Sequence, residues 1–193
     1  MNQEAELLVE KKDALAVLTL NRPQRRNALS STLLVSLGQT MRQLADEKEV
    51  RCAVLRGAGD KAFSAGMDLS ALPEGLPSGI QDQIAAKGPL QFCLDAVEDA
   101  PFPVIAMIRG YCVGAGCETS MACDLRVGAE GCRMGMPPVR LGIVYPPEGL
   151  HRFHPQPGLR RHQEGVLHRP PLRGRGGEGD GHARLPGPPG RRG

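Results

Sequence analysis

Pro103-Val-Ile-Ala-Met-Ile108, running on into Arg109-Gly-Tyr-Cys-Val-Gly-Ala-Gly-Cys-Glu118, is the stretch that decides how this chain folds. An apolar run of strand length stops at a glycine, and a glycine-containing turn then enters a helix predicted over Cys117–Cys123. The same punctuation recurs upstream. Leu15-Ala-Val-Leu-Thr-Leu20 reads as a buried strand, broken by Asn21-Arg-Pro because proline cannot continue a ladder. After Asn27, leucines 29, 33, 37 and 44 with Met41 mark one face of a helix reaching about Asp46. Cys52-Ala-Val-Leu-Arg56 is a further strand, ended by Gly57-Ala-Gly-Asp60, and Leu90, Leu94 and Val97 lie on one face of a helix predicted from Pro89 to Glu98. Residues 70–88 read as a long small-residue loop. Strands alternating with helices predict an α/β fold with a right-handed βαβ build and a largely parallel sheet.

Charge divides the chain in two. Residues 1–150 hold 15 Lys/Arg against 18 Asp/Glu, whereas residues 151–193 hold nine Arg, three acids and all five histidines. The formal charge of +3 therefore comes wholly from the tail, which removes the main support for a nucleic-acid partner. Nothing in the sequence reads as a signal peptide or a membrane span, so no membrane partner and a cytoplasmic location are expected. The six cysteines (52, 93, 112, 117, 123 and 132) form no C-x-x-C pair and read as buried, reduced thiols rather than redox or zinc ligands.

With no histidine before residue 151, the body has no Ser-His-Asp, Cys-His or His-metal arrangement. Acid–base chemistry there rests on carboxylates, lysine, tyrosine or cysteine. Two glycine turns stand out: Lys61-Ala-Phe-Ser-Ala-Gly-Met-Asp-Leu69, and the one entering the helix that carries Glu118. Unpaired N–H groups at a helix start can hold an anion or an oxyanion, and Glu118 in the first turn would lie within reach. The competing reading is structural, with Gly114 and Gly116 making a tight turn and Glu118 complementing the helix dipole. A dinucleotide fold is discounted, because Thr119 stands where the third glycine of G-x-G-x-x-G belongs.

Asn21-Arg-Pro with Arg26-Asn-Ala-Leu29, then Phe63-Ser-Ala-Gly-Met-Asp-Leu69, Gly110–Glu118 with Ala122-Cys-Asp-Leu125, and Met136-Pro-Pro-Val-Arg-Leu-Gly142 follow one another in a telling order. In order and spacing the set resembles the crotonase (enoyl-CoA hydratase/isomerase) family over about residues 10–153. The resemblance implies a ββα spiral fold and a CoA thioester as substrate, with no separate cofactor and no metal. It implies an oxyanion hole from the N–H groups of Met67 and Ala115, with Arg26, Ala28, Ala65, Asp68, Leu69 and Gly114 bordering the CoA. Glu118 matches one of the two catalytic glutamates of the hydratases. Where the second stands, this chain has Pro138, which cannot titrate; simple isomerisation is disfavoured, and hydration would rest on Glu118 alone or on Glu118 with Glu148 of the Tyr145-Pro-Pro-Glu-Gly149 turn, a residue that otherwise reads as an exposed turn position. The implied reaction is addition of water to a 2-enoyl-CoA. The alternatives are another lyase, isomerase or hydrolase of the family, or an inactive truncated product. Intact relatives are expected to be homotrimers or hexamers.

Residues 1–153 thus form an acyl-CoA-binding core, and residues 154–193 a Gly/Pro/Arg-rich tail expected to be disordered. The tail reads as a shifted frame. If each codon from Gly165 through Pro189 takes its first base from the third base of a genuine codon, the permitted translation is VFFTGRPYEAGAAKEMGMLDYLVP. That peptide resembles the family at this point, so the family's C-terminal helices are expected to be missing. Reading the gene across codons 150–165 should reveal one extra base near the codons for Phe153 and His154. Downstream bases that do not spell this peptide in the shifted frame would contradict the reading.

Overall fold

Strand-strand-helix is the repeating unit, and it occurs four times in succession among the described residues. The first unit is β1 (Leu7–Lys12), β2 (Leu15–Leu20) and α1 (Ser31–Glu47), and the second is β3 (Cys52–Gly57), β4 (Ala62–Ser64) and α2 (Ser78–Glu98). The third is β5 (Val104–Ile108), β6 (Tyr111–Val113) and α3 (Ala115–Ala122), and the fourth is β7 (Leu125–Ala129), β8 (Arg133–Gly135) and α4 (Pro147–Phe153). Two-residue strands β9 (Leu172–Arg173) and β10 (His182–Ala183) follow. The computed structural model describes residues 5–68, 78–136, 147–153, 172–173 and 182–183.

Each unit after the first places its first strand in one sheet and its second strand in another. The larger sheet runs β1-β2-β3-β5-β7-β10 and the smaller β4-β6-β8-β9. The ladders joining β2, β3, β5 and β7 are parallel, as are those joining β4, β6 and β8. Among the described residues the antiparallel strand ladders are β1–β2, β7–β10 and β8–β9. This is the α/β, ββα spiral architecture with a largely parallel sheet that the sequence implied.

Burial follows the patterns that predicted the elements. In β5, Val104, Ala106 and Ile108 are buried while the residues between them are half-buried. Helix α1 buries Leu33, Leu34, Leu37, Met41 and Leu44 on the face that the leucine spacing defined, and its N-cap Ser30 accepts from the Leu33 N–H at 3.0 Å. These residues join Leu18, Leu20, Leu55 and Phe63 in one core.

The structure corrects three sequence readings. Within the predicted 70–88 loop, residues 78–87 are helical; α2 is two helical stretches divided at Gly88 (φ 80°, ψ 159°), with Pro89 opening the second. Proline suits a first helical position, so the Gly-Pro pair marks a kink between helices rather than the end of a loop. The Glu148 turn is the first turn of α4. The tail, expected to lack structure, contributes β9 and β10, which take backbone bonds offered by the edges of β8 and β7. The rest of the tail, and with it the expectation that the family's C-terminal helices are missing, lies outside the described residues.

Asn27 locks the connection from β2 to α1 onto the turn between β3 and β4. Fully buried, with φ at +53°, it accepts from the Arg22 N–H at 3.0 Å and donates to the carbonyls of Ala58 (3.0 Å) and Ala62 (2.8 Å). Asparagine tolerates the left-handed region and can reach local backbone from it. Asn27→Ala loses all three bonds, and at about 1 kcal/mol each the chain should lose about 3 kcal/mol of stability. The urea midpoint should fall with an unchanged slope; an unaltered midpoint would show that the lock is dispensable.

Candidate active site

Two backbone turns leave the same end of adjacent parallel strands. Ala65-Gly66-Met67 follows β4 and Gly114-Ala115 follows β6, and β4 and β6 pair through Ala62↔Tyr111 and Ser64↔Cys112. The turns abut: a Cβ placed on Gly66 would lie 3.1 Å from the Val113 carbonyl oxygen and 3.6 Å from the Ala115 nitrogen. Gly66 also has φ +102°, a conformation that favours glycine. Gly116 fits as tightly, since a Cβ there would stand 2.5 Å from Ser64 Cβ. The start of α3 therefore rests on the end of β4.

Met67 and Ala115 stand on these abutting turns, and among the described residues neither N–H donates a hydrogen bond. The flanking groups are engaged. Leu29 donates to the Gly66 carbonyl at 2.8 Å, Asp68 N–H donates to the Leu29 carbonyl at 2.9 Å, and Ala65 N–H donates to the Arg26 carbonyl at 3.0 Å. This pairing sets Arg26 and Ala28 alongside Ala65, Met67 and Asp68, with Arg26 exposed at the rim. Arg22 staples the same corner: it donates to the Ala28 carbonyl at 2.7 Å and pairs with Asp68 at 2.7 Å and Glu6 at 2.9 Å. Asp68 is thus tied to protein rather than left free at the rim. Leu69 and Pro138 lie outside the described residues.

Helix α3 is fixed at both ends. Gly114 N–H donates to the Gly135 carbonyl at 2.9 Å, and Glu118 N–H makes the first helical bond, to Gly114, at 3.0 Å. At the other end the Arg126 guanidinium caps the carbonyls of Ser120 (2.9 Å) and Cys123 (2.6 Å), a cation placed where the helix dipole is negative. Burial depresses the Arg126 pKa from its ordinary value, an effect its neighbours partly offset.

Glu118, one turn into α3, is 5% exposed and so is not turned to solvent. Arg152 of α4 donates to Glu118 Oε1 at 3.1 Å, to Glu98 Oε1 and Oε2 at 2.6 and 3.1 Å, and to Gln91 Oε1 at 3.3 Å. Burial works against the Arg152 charge, but the bond and charge of Glu98, followed by those of Glu118, hold its pKa above the ordinary value. Asp95 of α2 stands 4.0 Å from Arg152 and pairs with Lys87 at 2.7 Å. Burial alone would raise the Asp95 carboxyl; hydrogen bonds from Lys87 and Gln91 and the charges of Lys87 and Arg152 hold it below its usual value. The buried pair is Arg152–Glu118, its side chains 8% and 6% exposed, and removing one partner of such a pair typically costs about 3–5 kcal/mol because the other charge is left buried alone.

Arg152 and Glu98 went unrecognised in the sequence. Arg152 stands at the very end of the 1–153 core, in no motif, and the two carboxylates it bonds, Glu118 and Glu98, lie 34 and 54 residues away. The cysteines are free thiols. Burial raises those of Cys93 and Cys112 and pushes Cys123 up to about 12, so at neutral pH these three are neutral core fillers rather than nucleophiles. Among the described residues no cluster of three or more His, Cys, Asp or Glu could hold a metal, and no helix is long and apolar enough to cross a membrane.

Residues 10–170 match the model of a family described as enoyl-CoA hydratase/isomerase. The chain is 36% identical over 138 residues to the crotonyl-CoA hydratase of Syntrophomonas wolfei, covering 72% of this chain and 52% of that protein. It is 36% identical over 143 residues to the short-chain-enoyl-CoA hydratase of Clostridium acetobutylicum, with the same two coverages. Among solved structures, an enoyl-CoA hydratase from Bacillus anthracis superposes with a TM-score of 0.76 at 31% identity, covering 88% of this chain and 65% of that one. An enoyl-CoA hydratase/carnithine racemase from Magnetospirillum magneticum gives a TM-score of 0.77 at 28% identity, covering 89% and 64%. The chain spans about half the length of the curated relatives it matches.

Proposed function

This chain belongs to the enoyl-CoA hydratase/isomerase family, and on that footing we propose that it adds water across the C2–C3 double bond of a 2-enoyl-CoA thioester. The observation that carries the reading is the buried Glu118 carboxylate one helical turn from the abutting Met67 and Ala115 turns. Water attacks C3, its proton passes to a carboxylate, and the electron pair of the double bond moves through C2 to the thioester oxygen. The N–H groups of Met67 and Ala115 stabilise the enolate that results; loss of one such donor typically costs about 3 kcal/mol of barrier. Reprotonation at C2 then gives the 3-hydroxyacyl-CoA. No redox change occurs, so the reaction needs no cofactor beyond its substrate.

Glu118 is the general acid/base. Glu148, in the first turn of α4, is the candidate second carboxylate in place of the one that Pro138 lacks. Arg26, Ala28, Ala65, Asp68, Leu69 and Gly114 border the CoA; for Asp68 the Arg22 pair suggests a role in holding the corner rather than touching ligand. The absence of a titratable group at residue 138 favours hydration over simple isomerisation.

In an assay of the 193-residue chain with crotonyl-CoA and longer 2-enoyl-CoAs, the conjugated thioester absorbance should decay. Glu118→Gln preserves shape and hydrogen bonding but removes the base, so kcat/KM should fall by about 10²–10⁴. Glu148→Gln should cost as much only if that residue is the second carboxylate. An unchanged rate in Glu118→Gln would refute the mechanism, and binding of CoA thioesters without turnover by the wild type would point to a different reaction on the same fold.

A further inference from the structure

We propose that Arg152 is the positioning residue for Glu118, fixing its carboxylate in place and in the ionised form, with Glu98 of α2 sharing the guanidinium's charge. The proposal deepens the hydration reading and rests on it for the role of Glu118. Its geometric basis is independent of that role.

Arg152 lies at the junction of three helices. Its Nη1 donates to Glu118 Oε1 on α3 at 3.1 Å and to Gln91 Oε1 on α2 at 3.3 Å, while Nε and Nη2 form a two-pronged contact with the Glu98 carboxylate at 2.6 and 3.1 Å. Two prongs on one carboxylate fix the plane of a guanidinium. That plane in turn fixes where Nη1 points, and so where Glu118 Oε1 rests. Gln91 is held in its own orientation by donating to Asp95 Oδ1. The order of connection is therefore Lys87 to Asp95, Asp95 to Gln91, and Gln91 to Arg152 beside Glu118.

The two ends of the guanidinium meet different surroundings. The side chains of Arg152 and Glu118 are 8% and 6% exposed, whereas that of Glu98 is 37% exposed. The Arg152–Glu118 contact is accordingly the drier one, where a charge is felt most, and the Glu98 contact is partly screened by water. Arg152 from α4 is the cation that pairs with Glu118, and Glu98 and Asp95 from α2, the latter paired with Lys87, surround that guanidinium. Among the described contacts the guanidinium is shared by two carboxylates, so Glu118 meets a cation whose charge is only partly its own.

A carboxyl titration of Glu118 in the whole 193-residue chain tests this without requiring turnover, using ¹³C NMR with the resonance assigned by its loss in E118Q. Arg152→Gln removes the cation from a buried carboxylate, so the Glu118 midpoint should move up by one unit or more. Glu98→Gln, at the wetter end, should free more of the guanidinium's charge for Glu118 and move the midpoint down by a smaller amount. Arg152→Lys keeps the charge but not the fork, and should give an upward shift smaller than that of Arg152→Gln. A Glu118 midpoint within about 0.3 unit of wild type in folded Arg152→Gln would overturn the proposal. If that variant does not fold, an unmoved midpoint in both Glu98→Gln and Arg152→Lys overturns it equally. Failure of the hydration reading is seen separately, as full turnover in E118Q, and leaves these titrations intact.

Discussion

Everything at this site depends on two stretches of backbone coming closer than side chains allow. β4 and β6 are adjacent and parallel, so the segments following them emerge side by side at one end of the small sheet. Ligand sites in α/β proteins tend to form outside the carboxyl ends of parallel strands, where loops converge. Here the convergence is tight enough that a single Cβ on Gly66 would press on the Val113 carbonyl, and one on Gly116 would overlap Ser64. Glycine at both places lets the Ala65–Met67 and Gly114–Ala115 turns abut. Asn27 and Arg22 then hold the outer wall, one through backbone carbonyls and the other through Asp68.

The second constraint is electrostatic. A buried carboxylate at the start of α3 is tolerable because a cation reaches it from α4, and that cation is held in turn from α2. The Arg152 cluster therefore does two jobs with one set of contacts. It makes the burial of Glu118 affordable to the fold, and it ties three helices from three different ββα units around the same carboxylate. Closely coupled charges of this kind do not contribute independently, so the variants of Arg152, Glu98 and Glu118 should be non-additive.

Much of this was legible in the sequence. Apolar runs stopped by proline or glycine located β2, β3 and β5, and the leucine spacing located α1, because these elements bury one continuous core and their patterns are strong. The short strands β4, β6 and β8 escaped notice: three residues are too few to show alternation, and they exist by pairing with one another. The first half of α2 was missed because Gly88-Pro89 looked like the end of a loop when it is a kink within a helical segment. The two glycine turns and Glu118 were visible as motifs, yet their meeting was not, since residues 66 and 115 join only through the sheet. Arg152 was invisible for a related reason. Its partners are distant in sequence, and its neighbours at the end of the core form no motif.

The central claim is that Met67 and Ala115 together receive the thioester oxygen of a CoA ester. A crystal structure of the chain with bound acetoacetyl-CoA tests it most directly. The account predicts the thioester oxygen at about 2.7–3.1 Å from both backbone nitrogens, the spacing expected of an oxyanion hole, with the Glu118 carboxylate facing the acyl carbons. A thioester oxygen bonded to neither nitrogen, or a ligand seated away from the Gly66–Gly114 turns, would contradict it.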